Sequence, residues 1–371
     1  MNILKKIKIK YAIAVISAAA VFLIFYWSES YGYDKVINLL TGNEDIVAVL
    51  DNYFTQRCAA LVKGDPSLVE GQFDKTSTYG RWSYEHEVTR IKLVKQWAEA
   101  RGIEFKDCQY KFKIFSIKKG EDSVRIYMSV RTKLSYIYKD LPETINEFSL
   151  GTRHTLKLVN RDDNWYVTVD WYSDPLEDTQ VAGTDAPLPD VAIETSTAYA
   201  KVKYNREKAV EYADKYSGAN WDLDDGYKYN TKYRNYADLG GDCANFASQA
   251  LSDKNAGGLR MGGNWKYYKG SGSRAWVNAG SFTQSLLYSG RARLVAKGKY
   301  DKVVNSIKNI SPGDIISYEK KGDIVHVSIV TAIDSKGIPL VNSHTNDRYH
   351  VPWDLGWGDK GVNFWLLRIN D

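Results

Sequence analysis

Gly240-Gly241-Asp242-Cys243-Ala244-Asn245-Phe246-Ala247-Ser248-Gln249-Ala250-Leu251 is the stretch on which the fold of the C-terminal half turns. Two adjacent glycines permit a tight backbone turn, and after them Phe246, Ala247, Ala250 and Leu251 recur at helical spacing as an apolar stripe. Cys243 therefore stands at or just inside a helix N-terminus. Unpaired backbone N–H groups and the positive end of the helix dipole favour a thiolate there, lowering a pKa that is about 8.5 in a free thiol. The chain has three cysteines, Cys58, Cys108 and Cys243, so a multi-cysteine zinc site is excluded and any thiol chemistry rests on one of three residues.

A thiolate nucleophile needs a proton partner, normally an imidazole on a neighbouring element. Downstream, Ser311-Pro312-Gly313-Asp314 turns into the strand Ile315 to Tyr318, and Lys320-Lys321-Gly322 turns into Ile324 to Val330, with His326 near its start. Asp334 to Gly337 then leads to a strand from Pro339 to His344. On it Asn342 and His344 lie two residues apart on one face, so either is placed to orient the His326 ring. Upstream, a helix from about Asn205 to Tyr216 carries Ala209, Tyr212 and Tyr216 on one side. His344, Asp347 and His350 lie across a loop without a thiol, which argues against a metal site. The aromatics from Trp221 to Trp276, among them Tyr227, Tyr229, Tyr233, Trp265, Tyr267 and Tyr268, suit core and rim packing better than a sugar or peptide groove.

Asp242-Cys243-Ala244-Asn245-Phe246, Pro312-Gly313-Asp314 and His326-Val327-Ser328-Ile329-Val330, in that order, resemble the motif series of papain-like cell-wall cysteine peptidases of the NlpC and CHAP types. With Tyr204-Asn205-Arg206 opening a helix and Ser343-His344-Thr345 after the histidine strand, residues 198–371 are similar to the bacterial putative amidase domain family. The resemblance implies a papain-like α+β fold with Cys243 as nucleophile and His326 as general base. It implies His344, in preference to Asn342, as third member, and support of the oxyanion around Gly241 and Asp242. It further implies amide hydrolysis without cofactor or metal, most simply of cell-wall peptidoglycan or another peptide. A non-catalytic wall-binding or assembly module of the same fold is the alternative from another class, and a different amide substrate is a third.

The N-terminal half reads differently. Val47, Leu50, Phe54, Cys58 and Leu61 mark one face of a helix from Asp45 to Lys63, and Val88, Ile91, Val94 and Ala98 mark a second from Glu85 to Arg101. The period then drops to two around Tyr110 to Ile114, Val124 to Arg131, Arg153 to Val159 and Trp165 to Tyr172, as in antiparallel strands with one solvated face. Helices followed by a curved antiparallel sheet over residues 43–175 resemble the cystatin-like cone fold of nuclear-transport-factor-type domains. His86 and His154 fall in this half without a neighbouring constellation and read as structural. Residues 176–197 lose all periodicity and read as a linker between this accessory domain and residues 198–371. Cys58 and Cys108 are equally readable as a disulfide and as two buried thiols.

Lys5, Lys6, Lys8 and Lys10 precede an uncharged, mostly apolar run from Tyr11 to Trp27, about 25 Å long as a helix. Residues 1–33 are expected to be a basic cytoplasmic stub and an uncleaved signal anchor that leaves the later domains outside the membrane, with cleavage near Ala18-Ala19-Ala20 as the rival. The 371 residues are 44% hydrophobic, 26% charged and 13% aromatic, which excludes a disordered or fibrous chain. Fifty basic against forty-five acidic residues give +5, with four of the positives in the first ten residues. The remainder is near neutral, so nucleic acid is not an expected partner.

Overall fold

Helix α1 (Glu44–Lys63) opens on Glu44 and Asp45 and closes on Lys63, the charge order that the helix dipole favours. After a single-turn helix α2 (Ser67–Glu70) comes α3 (Thr78–Ala100), which begins well before its apolar stripe. Its first turns expose Tyr79 and Trp82, so they carry no inward pattern, and the start is set instead by Ser77, whose hydroxyl accepts the Gly80 N–H at 3.1 Å. Strands β1 (Ile103–Lys119), β2 (Ser123–Tyr138), β3 (Leu141–Arg161) and β4 (Asn164–Tyr172) then form an antiparallel meander. These strands outrun the stretches with clear alternation because the backbone ladder, from Ile103↔Tyr138 to Lys119↔Val124 in the first pair, continues through polar positions.

The computed structural model describes residues 44–176, 204–223, 229–358 and 361–370. The basic stub, the apolar run at 11–27, the segment 177–197 and Tyr227 lie outside the described residues. Among the described residues no helix is long and apolar enough to cross a membrane. The chain divides into two units, Met1–Asn52 and Tyr53–Asp371, and of the first only the opening turns of α1 are described.

The C-terminal part contributes helices α4 (Arg206–Lys215), α5 (Cys243–Ser252), α6 (Arg274–Val277), α7 (Ala279–Tyr288) and α8 (Tyr300–Val303). Two-residue strands β5 (Tyr267–Tyr268) and β6 (Ser271–Gly272) pair with each other. The longer strands are β7 (Ala292–Gly298), β8 (Ile315–Lys320), β9 (Asp323–Ile333), β10 (Pro339–Ser343), β11 (Asp347–Pro352) and β12 (Val362–Ile369). Together with β1 to β4 they make one ten-stranded antiparallel sheet in the order β1-β2-β3-β11-β10-β9-β8-β12-β7, with β4 also on β3. The two halves read as separate domains are thus joined through β3 and β11, where Gly151, Leu150 and Ser149 pair with Asp347, Arg348 and Tyr349.

Each face of the C-terminal part of this sheet is covered. One face packs Ile315, Val327, Ile329 and Leu367 against Cys243, Phe246, Trp276 and Phe282 of the helices. The other packs Ile316, Tyr318, Val330 and Leu366 against Tyr300, Val303, Trp353 and Trp357. The alternation along β8 and β9 follows the two-residue period of a strand. In the N-terminal half Cys58 and Cys108 are free thiols, so of the two open readings the structure has the unbridged one.

Candidate active site

The Gly240-Gly241 turn sits where only glycine is comfortable, with φ of +105° and +124°, and a Cβ on Gly241 would stand 3.4 Å from Thr345 Oγ1. The turn sends Asp242 inward. Its backbone N–H donates to Thr345 Oγ1 at 2.6 Å, and Oδ1 accepts the Tyr236 N–H and the Asn245 Nδ2 donor, each at 2.8 Å. Asn245 in turn accepts Trp276 Nε1 at 2.8 Å and donates to the Arg234 carbonyl, while Ser248 accepts Trp265 Nε1 at 2.9 Å. The polar residues of the motif around Cys243 are thus the fasteners that hold the N-terminus of α5 in place.

Cys243 is the first residue of α5, as its spacing predicts, and its side chain is buried. The thiol is not activated, however: burial pushes its pKa up to about 11, against the opposing effect of the Val327, Ala244 and Cys243 backbone N–H groups. The expected lowering by the helix terminus is outweighed by the removal of the sulfur from water, and the neighbouring Asp242 carboxylate adds to the rise.

His326 lies one residue from Val327 but on the other face of the sheet. It pairs with Tyr318, and its ring lies 5.8 Å from that of Tyr318 and 5.3 Å from that of Trp357. The imidazole is buried, its Nε2 has no hydrogen-bond partner among the described residues, and burial with the nearby Arg348 lowers its pKa to about 3. The structure therefore does not bring the expected dyad together. The physical cause is a bulge: Tyr318 pairs with His326 but Glu319 pairs with Ile324, so Val325 is an extra residue that turns the strand over just before the histidine.

Neither expected third member reaches His326. His344 Nδ1 meets Asp242 Oδ2 at 2.7 Å and its Nε2 meets the Tyr216 carbonyl at 2.7 Å, between the rings of Tyr229 at 3.8 Å and Phe246 at 4.0 Å. Tyr216 O accepts only, so Nε2 is the donor there, and Nδ1 is left to face Asp242 Oδ2 while the other oxygen of Asp242 takes two donors. Asn342 donates to Asp214 Oδ1 at 2.8 Å and accepts from Thr331 and the His350 N–H, and His350 Nε2 meets the same Asp214 oxygen at 2.9 Å. Asp347 accepts from Tyr229 at 2.9 Å, and burial raises its pKa. Gly241, Asp242 and His344 thus gather at the Cys243 end of α5, whereas His326 and Asn342 do not join them.

A polar cluster that sequence reasoning missed lies in the N-terminal half. His154 Nδ1 meets Asp170 at 2.7 Å, Tyr53 donates to Asp170 at 2.8 Å, and Arg57 joins Glu87 at 2.5 Å and Tyr172 at 2.8 Å, all buried. Burial works against the Asp170 carboxylate, but His154, Arg57 and Tyr53 together bring its pKa down to about 2. The partners are 16 to 117 residues apart, so no local spacing could have announced them.

The C-terminal residues recur elsewhere. The chain is 35% identical over 159 residues to the uncharacterized protein YhbB of Bacillus subtilis, covering 41% of this chain and 44% of that one. It is 30% identical over 186 residues to the uncharacterized protein YjcM of the same organism, covering 48% and 39%. The chain thus spans less than half the length of these curated relatives. Among solved structures, a putative scytalone dehydratase from Novosphingobium aromaticivorans aligns with 35% of this chain and 84% of its own at 13% identity and a TM-score of 0.25, too low to bear on fold or function. Residues 203–367, which hold Cys243 and every group gathered around it, match the model of the family described as Putative amidase domain.

Proposed function

We propose that the C-terminal domain is a papain-like cysteine hydrolase that cleaves amide bonds, with Cys243 as nucleophile and His326 as general base. Cell-wall peptidoglycan is its substrate class, outside a membrane to which residues 11–27 anchor the chain. The observation that carries the reading is the seat of Cys243: it is the buried first residue of α5, packed in one cluster with Val327, the neighbour of His326, and the backbone N–H groups of Val327, Ala244 and Cys243 favour its thiolate against burial. Such N–H groups hold a thiolate and then the oxyanion that forms beside it. In the reaction the thiol proton passes to His326 and sulfur adds to the amide carbon. The imidazolium returns the proton to the leaving amine, and water then releases the acyl group from sulfur. His344 fixes Asp242 and with it the start of α5, and residues 43–175 form a cone-fold accessory domain.

One observation favours the second reading, a wall-binding module without turnover: the thiol is protonated at neutral pH and its base faces away. Release of soluble fragments from purified walls by the full chain separates the two. Release abolished by both Cys243→Ala and His326→Ala supports the hydrolase. No release by the parent, with retention on the walls, supports the module, and hydrolysis confined to a small peptide amide redirects the substrate.

A further inference from the structure

The buried His326, whose Nε2 has no partner among the described residues, and the buried, unactivated Cys243 have a common cause in the bulge at Val325. Before the bulge Ile324 packs on the α5 side of the sheet, and after it Val327 and Ile329 do, leaving His326 and Ser328 on the Trp357 side. The strand reads Val325-His326-Val327-Ser328-Ile329-Val330, so one of its two phases, 325, 327 and 329, is wholly apolar, and the other carries the polar groups. In the observed register the apolar phase is split, with Val325 left 48% exposed, and the polar phase is pressed against aromatic rings. Both sheet faces are apolar and will take Val327 and Ile329, so the hydrophobic pattern specifies this register weakly. The far end of the strand is already irregular. On the β10 side Leu340 pairs with Ala332 but Val341 with Val330, which leaves Thr331 as an extra residue where slack can be taken up.

We propose that β9 has a second register, one residue along, in which His326 lies opposite Ser317 on the α5 side and faces Cys243, and that hydrolysis proceeds from this register alone. Residues 325–329 advance by about 3.3 Å, the rise of one strand residue. The bulge leaves Val325 and reappears beside Thr331, and His326 takes the place Val327 now holds, next to the Cys243 sulfur. Val325 becomes a regular strand residue, and Val327 and Ile329 turn into the Tyr318 and Trp357 side. The observed register is then a resting form that keeps nucleophile and base on opposite faces. The inference rests on the reading of Cys243 and His326 as the acting pair.

A cross-strand disulfide tests it in the full chain. Ile316 and Ser328 are partners in the observed register and not in the other, so Ile316→Cys with Ser328→Cys pins the resting form when oxidised and frees it when reduced. The reduced variant is expected to hydrolyse substrate, the oxidised variant to lose about a hundredfold or more, as loss of a general base does, and dithiothreitol to restore it. The same samples with ring-labelled histidine, His326 being assigned by His326→Gln, are expected to show a second His326 signal only when reduced. Deleting Val325 removes the extra residue while leaving Ile324 opposite Glu319 and His326 opposite Tyr318. That variant should keep the parent's unfolding temperature and lack both activity and the second signal, which covers a disulfide that fails to close. Equal turnover by pinned and free forms, or one identical His326 signal in both, overturns the proposal. A parent that hydrolyses nothing yet shows two signals overturns the hydrolase and leaves the slide standing.

Discussion

Two histidines near Cys243 are buried in opposite ways, and each makes a prediction. His344 is a buried brace on Asp242, at 2.7 Å, and its loss leaves the Asp242 carboxyl with its backbone and amide donors but without the imidazole. His344→Ala should therefore cost about 3–5 kcal/mol in urea unfolding, the usual penalty for orphaning one member of a buried pair. A loss below about 1 kcal/mol, the value of an exposed pair, would show that Asp242 is not charged. His326 is held neutral. With a folded pKa of about 3 it takes no proton across the range where the unfolded chain, at about 6.5, takes one. Folding stability consequently falls as pH drops below about 6.5, by up to about 1.4 kcal/mol per unit from this residue. His326→Phe removes that slope, so the variant should gain on the parent by about 2 kcal/mol between pH 7 and pH 5 in paired urea titrations. Equal slopes would place the ring in water.

At the scale of elements, the turn before α5 carries the sharpest contrast. Gly241→Ala puts a Cβ into a backbone with φ of +124° beside Thr345 and should cost about 1–3 kcal/mol. Gly71→Ala, at φ −69° with open space around it, should be neutral or stabilising by up to about 1 kcal/mol. Urea midpoints of the two variants check both signs. The same turn explains what was legible beforehand. Gly240-Gly241-Asp242-Cys243 announced a helix start because its determinants are adjacent in the chain, and the strands around Ile315, Val327 and Val341 followed from local alternation. Three things had no such local trace. The bulge at Val325 is invisible because Val-His-Val-Ser-Ile-Val is compatible with either face. The depth of Cys243 depends on Phe246, Val327 and Phe282 closing over it from three elements. The His154 cluster is assembled by strand register, whereas α3 was misplaced at its start because Ser77 and not an apolar stripe sets it.

For the whole molecule, the joint between the halves is the structural fact with the largest consequence. A linker was the expected divider, yet β3 hands its ladder to β11, and buried side chains cross the same boundary. Arg101 pairs with Asp354 at 2.7 Å, Trp97 Nε1 donates to Asp354 at 3.1 Å, and Tyr136 donates to Asp334 at 3.1 Å. A fragment of residues 198–371 would leave Asp354 without its guanidinium and expose the edge of β11 at Asp347, Arg348 and Tyr349, a template for pairing with other chains. Made alone, it should accumulate as aggregate or unfold well below the full chain, and made together with residues 44–176 it should be recovered as a soluble two-chain complex. Asp354→Ala in the intact chain carries the same test at one contact, because it strands the buried Arg101 and should cost about 3–5 kcal/mol. A soluble, cooperatively unfolding 198–371 fragment with the full chain's melting temperature would show that the joint contributes nothing. In that case the N-terminal half is a passenger and not a wall of the structure that holds His344 and its loop in place. The loop is where the joint and the site meet: Asp347 and Arg348, which pair with β3, follow His344 by three and four residues, so a loosened β11 should release the Asp242 brace before any other contact of the site.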